Sequence, residues 1–453
     1  MNATELKRPA LKSQNPLAQH LNLQLDYDQL TNCMRCGFCL PACPTFRETG
    51  VEAESPRGRI ALMKAVADGL MEPDKAFQEQ MDHCLGCRAC EPACPADVKY
   101  GQLLEQARDT IEDHADHKGW VKLLRSIAFK QLFPYQKRMR MLGFSLKMYQ
   151  KGLRGITHSI GIMKLFPKHM QAMEKILPDA SSKGVIERMG TDFYPAKGTP
   201  IARVGMFRGC IMDMLFTETN VNTVKLLSEA GFDVVIPKSQ NCCGALHAHS
   251  GEMDLAEGLA QKNIRAFREA NVDYIISNAG GCGAALIEYD HWLHDDSQWQ
   301  EDAKWFASRV IDISQVIVEH GRIPQFAALP AESSKDHTLK ITYQDSCHLR
   351  NVMRSSQAPR RLMQSVDNVQ FVEAKESDRC CGSAGIYNVT QPKMAGDILA
   401  HKMEHVNKTE AHYLLTSNPG CLLQMKLGVE EHGKKDQMKA MHIVDFLYER
   451  TKA

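Results

Sequence analysis

Sixteen cysteines stand in this 453-residue chain, and eight of them form two runs of identical spacing. The first reads Cys33-x2-Cys36-x2-Cys39-x3-Cys43 and ends on Pro44; the second reads Cys84-x2-Cys87-x2-Cys90-x3-Cys94 and ends on Pro95. This is the thiolate spacing of a cubane iron–sulfur site. Each iron of a cubane takes one soft thiolate, and Cys-x2-Cys-x2-Cys wraps three around it, with Gly37 and Gly86 permitting the tight turn. The fourth cysteine lies too far along to close the same cube easily, and in two-cluster proteins it serves the other one. One [4Fe-4S] cluster is therefore expected on Cys33, Cys36, Cys39 and Cys94, and a second on Cys84, Cys87, Cys90 and Cys43. A zinc site usually pairs two Cys-x2-Cys units instead, and a disulfide framework belongs to small secreted chains.

Helices have to position these runs. Ser55 is an expected N-cap, Pro56 fits the first turn, and Gly69 closes the helix. Ile60, Leu62, Met63, Val66, Ala67 and Leu70 give it an apolar face broad enough to cover a cluster. Residues 97–114 read as another helix. The first 20 residues, with Pro9 and Pro16, read as a mobile arm.

Residues 118–175 carry thirteen Lys or Arg and one acid, Glu174, in a strongly apolar context. Three readings fit such a stretch: a helical linker packed on the ferredoxin domain, a dock for an acidic partner, or an amphipathic segment on an anionic membrane. The whole chain has a net charge of +1, which offers no global case for nucleic-acid binding. The polar start, residues 1–30, does not read as a signal peptide, and clustered cysteines without one point to a reducing cytosol. No apolar window is long enough to span a bilayer. A cytoplasmic location is expected, with a peripheral position on the inner face of the cell membrane as the alternative.

From residue 201 strand and helix alternate, and the chain repeats itself. Strands at 203–207, 233–236 and 274–277 lead to Cys210, Cys242-Cys243-Gly244 and Cys282. Strands at 340–344, 371–374 and 413–417 lead to Cys347, Cys380-Cys381-Gly382 and Cys421. Both copies close with a similar helix, at 311–318 and 443–447, and residues 324–337 read as the join. Open α/β sheets bind ligands at the carboxyl ends of their strands, so each set of four cysteines is expected to converge. Four thiolates suffice for a further cubane or for zinc. His247, His249 and His348 are further candidates to complete such a site, although surface or helix-capping roles suit them better.

The two repeats resemble the cysteine-rich CCG domain of heterodisulfide reductases, whose fuller pattern ends in Cys-x-x-Cys. Here the first of that pair is Ala279 or Asn418, which puts the five-cysteine non-cubane cluster of those enzymes in doubt. The helical spacing of the first two runs resembles the iron–sulfur domain of succinate dehydrogenase and fumarate reductase subunits. The whole order, with blocks such as Ser55-Pro-Arg-Gly-Arg-Ile60 and Ser417-Asn-Pro-Gly-Cys421, resembles glycolate oxidase (glycolate dehydrogenase) iron–sulfur subunits. The third subunit of anaerobic glycerol-3-phosphate dehydrogenase has a similar layout.

The expected fold is multidomain α + α/β. It comprises an arm at 1–20, a helical two-cluster ferredoxin domain at 21–117, a basic amphipathic helical linker at 118–200, and CCG domains at 201–325 and 338–453. The resemblance implies an oxidoreductase subunit acting on CH–OH donors without NAD or oxygen. It implies FAD on a partner subunit, and electrons passed to a quinone-type acceptor during oxidation of glycolate to glyoxylate. No dinucleotide fingerprint, Walker A motif or general acid–base pair stands in the chain itself. Alternatives are a D-lactate or glycerol-3-phosphate dehydrogenase subunit. Another is a CCG-type disulfide or quinone reductase using Asp345, His348 and Arg350 beside Cys347.

Overall fold

A computed structural model describes residues 11, 13–327, 338–433 and 436–451. Its first unit is helical. Helix α1 (Pro16–Gln24) starts on a proline, with Asn15 accepting from the Leu17 amide at 3.0 Å. It falls at the end of the stretch expected as an arm, and Leu17, Ala18 and Leu21 are buried against the helices that follow. Helices α2 (Tyr27–Asn32) and α3 (Pro44–Thr49) flank the first cysteine run. In α4 (Pro56–Ala67), Ser55 Oγ accepts from the Gly58 amide at 3.0 Å, and the helix stops before left-handed Gly69, as expected. Ile60, Met63, Val66 and Ala67 are buried, whereas Leu70 lies in water past the helix end. Helix α5 (Lys75–Asp82) leads into the second run. Helix α6 (Tyr100–Asp113) starts later than its composition implies, because Asp97 is left-handed.

The basic stretch is helical too: α7 (Gly119–Arg125), a π-helical turn, α8 (Gln136–Met148), a second π-helical turn, α9 (Arg154–Ser159) and α10 (Lys168–Ile176). Its inner face does not pack mainly on the ferredoxin unit, which corrects the expectation. Met139 is buried in the core of the cysteine-rich repeats, Leu132, Phe133, Leu146 and Ile176 pack against it, and Phe129 is buried beside His247 of the first repeat. The reason is local shape. Phe129 and Phe133 bracket the buried His247 ring, and Gly143 lies so close to the Ser181 carbonyl that no Cβ would fit.

The repeats then form two sheets. Strands β1 (Phe193–Tyr194), β2 (Ala202–Phe207), β3 (Phe232–Val235), β4 (Tyr274–Ser277) and β5 (Val310–Asp312) lie in the order β1-β3-β2-β4-β5. Strands β6 (Leu339–Tyr343), β7 (Val369–Phe371), β8 (Tyr413–Thr416) and β9 (Lys439–His442) lie in the order β7-β6-β8-β9. All pairs are parallel except β1 with β3. The first sheet thus takes its antiparallel edge from residues before 201, inside the stretch expected as linker. Residues 328–337 of the expected join lie outside the described residues. The fourth strand of each repeat, β5 or β9, stands just before a closing helix, where three or four residues show no periodicity of their own.

The repeats share two apolar cores and a polar seam. Asp445 accepts from Thr219 at 2.7 Å and Asn222 at 2.9 Å, and the Gly280 amide donates to the Ser417 carbonyl at 3.0 Å. His442, fully buried, bridges its Nε2 to the Asn278 carbonyl at 3.0 Å and takes the Val444 amide on Nδ1 at 3.2 Å. Burial holds its pKa below the usual histidine range. The unfolded chain therefore binds a proton there, below pH of about 6.5, that the folded seam rejects. Stability should fall as pH drops through that value, by up to about 1.4 kcal/mol per pH unit from this group. Urea titrations between mildly acidic and neutral pH should show a shallower pH dependence in His442→Asn than in the parent.

Candidate iron–sulfur centres

The two runs share one backbone device at exchanged positions. In each, the second residue after the first cysteine and the fourth after it are left-handed: Arg35 and Gly37 in one run, Gly86 and Arg88 in the other. Glycine takes this conformation freely, whereas an arginine pays about 1–2 kcal/mol. Both arginine residues are tied down. The Arg35 carbonyl accepts from Arg57 Nη1 at 2.9 Å, and Arg88 pairs with Glu91 at 3.0 Å and closely with Glu288 of the first repeat.

The folded chain gathers the cysteines as two groups with different surroundings. Cys33, Cys36, Cys39 and Cys94 line one cavity, and Cys90, Arg57, Ile60 and Tyr100 line it too. Cys36 is exposed and the other three are half-buried. Cys43, Cys84, Cys87 and Cys90 are all buried. Burial, then the charges Cys87 and Cys84 would carry, pushes the Cys90 thiol well up, and burial raises the Cys43 thiol beside Cys84 and Cys87. Sulfurs crowded this way ionise only against positive charge, which is what iron supplies, so the donor set fits a cluster. Donors already point at one sulfur, Tyr100 Oη to Cys84 at 3.5 Å and the Gly86 amide to Cys84 at 3.4 Å, while Thr45 Oγ1, which donates to the Glu54 carbonyl at 2.7 Å, lies 3.3 Å from Cys43.

Two arginines escaped the sequence reading. Arg57 arms the exposed group, held by Glu52 at 2.6 Å. Arg59 is fully buried, pairs with Glu54 at 2.7 Å and donates to the Gln80 carbonyl at 2.7 Å. Burial works against its charge, yet Tyr100, Cys84, Cys43 and Glu54 hold its pKa raised. Their signal was the Arg-x-Arg spacing in the first turn of α4, beside the first run.

In the repeats, every cysteine follows the carboxyl end of a strand, and each set of four converges. Cys210 Sγ donates to Cys242 Sγ at 3.5 Å, and hydrogen-bonding contacts continue from Cys242 to Cys243 and from Cys243 to Cys282. The second repeat makes the same chain, from Cys347 to Cys380, Cys381 and Cys421. There a fifth sulfur joins. Cys87 of the ferredoxin unit contacts Cys380, and that hydrogen bond, then burial, pushes the Cys87 thiol well up. Ala279 and Asn418, where a further cysteine would complete the longer pattern, are the N-caps of the helices that carry Cys282 and Cys421. Asn418 donates to Cys421 Sγ at 3.5 Å and accepts from the Gly281 amide at 3.0 Å.

The contact with Cys87 follows from a clasp on residues 83–87. The carbonyls of His83, Cys84, Gly86 and Cys87 pair with Tyr387 Oη at 3.0 Å, Arg108 at 2.6 Å, His348 Nε2 at 3.1 Å and Asn351 at 2.9 Å. Three of those partners belong to the second repeat. The candidate histidines are spent here: His348 on Gly86, His249 on Glu105 at 3.1 Å, His247 on the Phe129 carbonyl at 2.9 Å. Burial drives the His348 pKa down to about 3, so it stays neutral. Asp345 is buried against Arg350 and Arg360, each at 2.9 Å, which makes it part of a closed ionic network.

Comparison with known proteins matches this layout part for part. Residues 29–98 match a 4Fe-4S dicluster domain, 204–287 and 341–426 match the cysteine-rich CCG domain, and 120–177 match the linker region of glycolate oxidase iron–sulfur subunits. The probable glycolate oxidase iron–sulfur subunit of Bacillus subtilis is 48% identical over 441 residues, covering 97% of this chain and 98% of its own. The chain belongs to the glycolate oxidase iron–sulfur subunit family. The Escherichia coli glycolate oxidase iron–sulfur subunit is 28% identical over 399 residues, 86% of this chain and 88% of its own. Lactate utilization protein A of Geobacillus thermodenitrificans is 30% identical over 250 residues, 55% of this chain and all of its own. The family supports an electron-transfer role. Among the described residues, no helix is long and apolar enough to cross a membrane.

The clasp is open to test. Asn351→Ala leaves the buried Cys87 carbonyl without its donor, at a cost of about 1–3 kcal/mol. Amide hydrogen exchange across residues 83–90 should speed up in this variant, while exchange in α4 stays at the parent rate.

Proposed function

We propose that this chain is the electron-transfer subunit of a glycolate (2-hydroxy acid) dehydrogenase complex. Oxidation of glycolate to glyoxylate releases two electrons and two protons. A separate FAD-carrying subunit takes the pair, and this chain relays electrons singly to a quinone-type acceptor, which gains two electrons and two protons. The observation that carries the reading is the graded burial of the two cysteine groups. The exposed group at Cys36 meets a partner's surface, and the buried group touches Cys380.

In this reading Cys33, Cys36, Cys39 and Cys94 hold one [4Fe-4S] cluster, and Cys84, Cys87, Cys90 and Cys43 hold the other. Bound clusters supply one-electron acceptor and donor states. The chain's own residues set their environment: Tyr100 and the Gly86 amide direct hydrogen-bond donors at the Cys84 sulfur, and Arg57 and Arg59 place positive charge nearby. The converged sets Cys210, Cys242, Cys243, Cys282 and Cys347, Cys380, Cys381, Cys421 offer thiol ligands for further clusters. Substrate choice rests with the partner, since no described residue here offers an acid–base pair to a hydroxy acid.

Cys43→Ser should cost about half of the iron and acid-labile sulfide of the ferredoxin unit. The EPR signal it loses should also vanish in Cys87→Ser and survive in Cys33→Ser; loss of the same signal in Cys43→Ser and Cys33→Ser would refute the crossed assignment. With its FAD-carrying partner, the parent chain should support glycolate-driven reduction of a quinone analogue. Reduction driven by D-lactate or glycerol 3-phosphate instead would move the chain to another dehydrogenase.

A further inference from the structure

Residues 118–175 cover a flank of the repeats with one face and turn the other to water. More than half of the large apolar side chains that the described residues expose lie between 120 and 170. They are ordered, not scattered. On α7 and the turn after it, Trp120, Leu123, Leu124 and Ile127 recur at helical spacing and are each about half exposed or more. On α8, Met139 and Gly143 face inward, while Lys137, Met141, Phe144 and Met148 form the opposite, exposed or largely exposed ridge. Leu153, Ile156, Ile160 and Leu165 continue the exposed apolar surface.

The charge on this face has one sign. Ion pairs engage Lys122, Arg125, Arg140 and Arg154; the other nine basic side chains have none among the described residues. Glu174, the sole acid, is taken by Arg154 at 2.9 Å and His158 at 3.1 Å. A solvated linker would turn polar groups outward. An acidic protein partner would favour arginine, because lysine is depleted at protein interfaces. Here most of the basic groups are lysines interleaved with bare aliphatic and aromatic side chains. Lysine suits a lipid surface, where its stem lies among acyl chains and its ammonium reaches the headgroups.

We propose that the outward face of residues 118–175 docks this protein on an anionic lipid bilayer. The helices lie in the interface without crossing it. Anionic headgroups meet the unpaired lysines, and Trp120, Leu123, Met141 and Phe144 enter the acyl boundary. The site goes beyond the electron-transfer reading and does not depend on which acceptor receives the electrons.

The test is flotation of the full-length, cluster-loaded chain with vesicles of phosphatidylcholine, with or without phosphatidylglycerol. The chain should float with the anionic vesicles at low salt and stay behind with the neutral ones. Lys130→Gln and Lys137→Gln should each weaken binding about fivefold. Leu123→Ser with Phe144→Ser, both at exposed positions, should weaken it about tenfold or more. Absence of flotation with anionic vesicles at low salt overturns the proposal. So does binding that salt abolishes but the apolar substitutions leave intact, which marks a dock for an acidic protein. So does self-association removed by the same substitutions. Iron content and dye reduction, measured on the same samples, report the electron-transfer reading separately.

Discussion

A loop that presents sulfur has no ladder of its own to satisfy its backbone, and this constraint organises the molecule. Buried carbonyls need donors. In residues 83–87 four of them find Tyr387, Arg108, His348 and Asn351. Because three of these belong to the second repeat, the ferredoxin unit is fixed to that repeat at the segment that carries its buried cysteines. The close approach of Cys87 to Cys380 follows, and the first repeat is left to anchor the same unit through Arg88–Glu288 and His249–Glu105.

The spacing of the two runs was legible because cluster-type ligation is a local matter of a few residues. Convergence of the other eight cysteines was legible because parallel α/β topology sends the residue after each strand to one edge. The asymmetry between repeats was not, since the cysteines themselves repeat almost without change. Its signal lay beside them. His348 and Asn351 occupy places held in the first repeat by Ile211 and Met214, and Tyr387 a place held by His249. Donors stand where the other copy has mostly apolar groups. The short strands β5 and β9 were illegible for another reason: they are too brief for a pattern, and the sheet alone defines them. In the basic stretch, composition announced an amphipathic helix without saying which side was turned inward. That was decided by a missing Cβ at Gly143 and by the fit of Phe129 against His247.

The buried pair Arg59–Glu54 is a costly element on general grounds, since both charges leave water. Its hydrogen bonds to the Gln80 carbonyl and its place beside Cys43 and Cys84 explain its value. A fixed cation next to a group of thiolates lowers the penalty of placing another negative charge there. The exposed group instead has Arg57 at its rim, where water screens the charge. The two four-sulfur groups thus differ in dielectric as well as in depth, although their ligand spacing is the same.

Asn418 stands where the longer cysteine pattern would place one more sulfur, and it is not an idle replacement. Its amide spans the seam, bound on one side to the Gly281 backbone of the first repeat and on the other to Cys421. A cysteine at this position would add a thiol to the second set and remove a strut between the halves in the same step. The thiol count of that set and the rigidity of the paired repeats therefore hang on one residue.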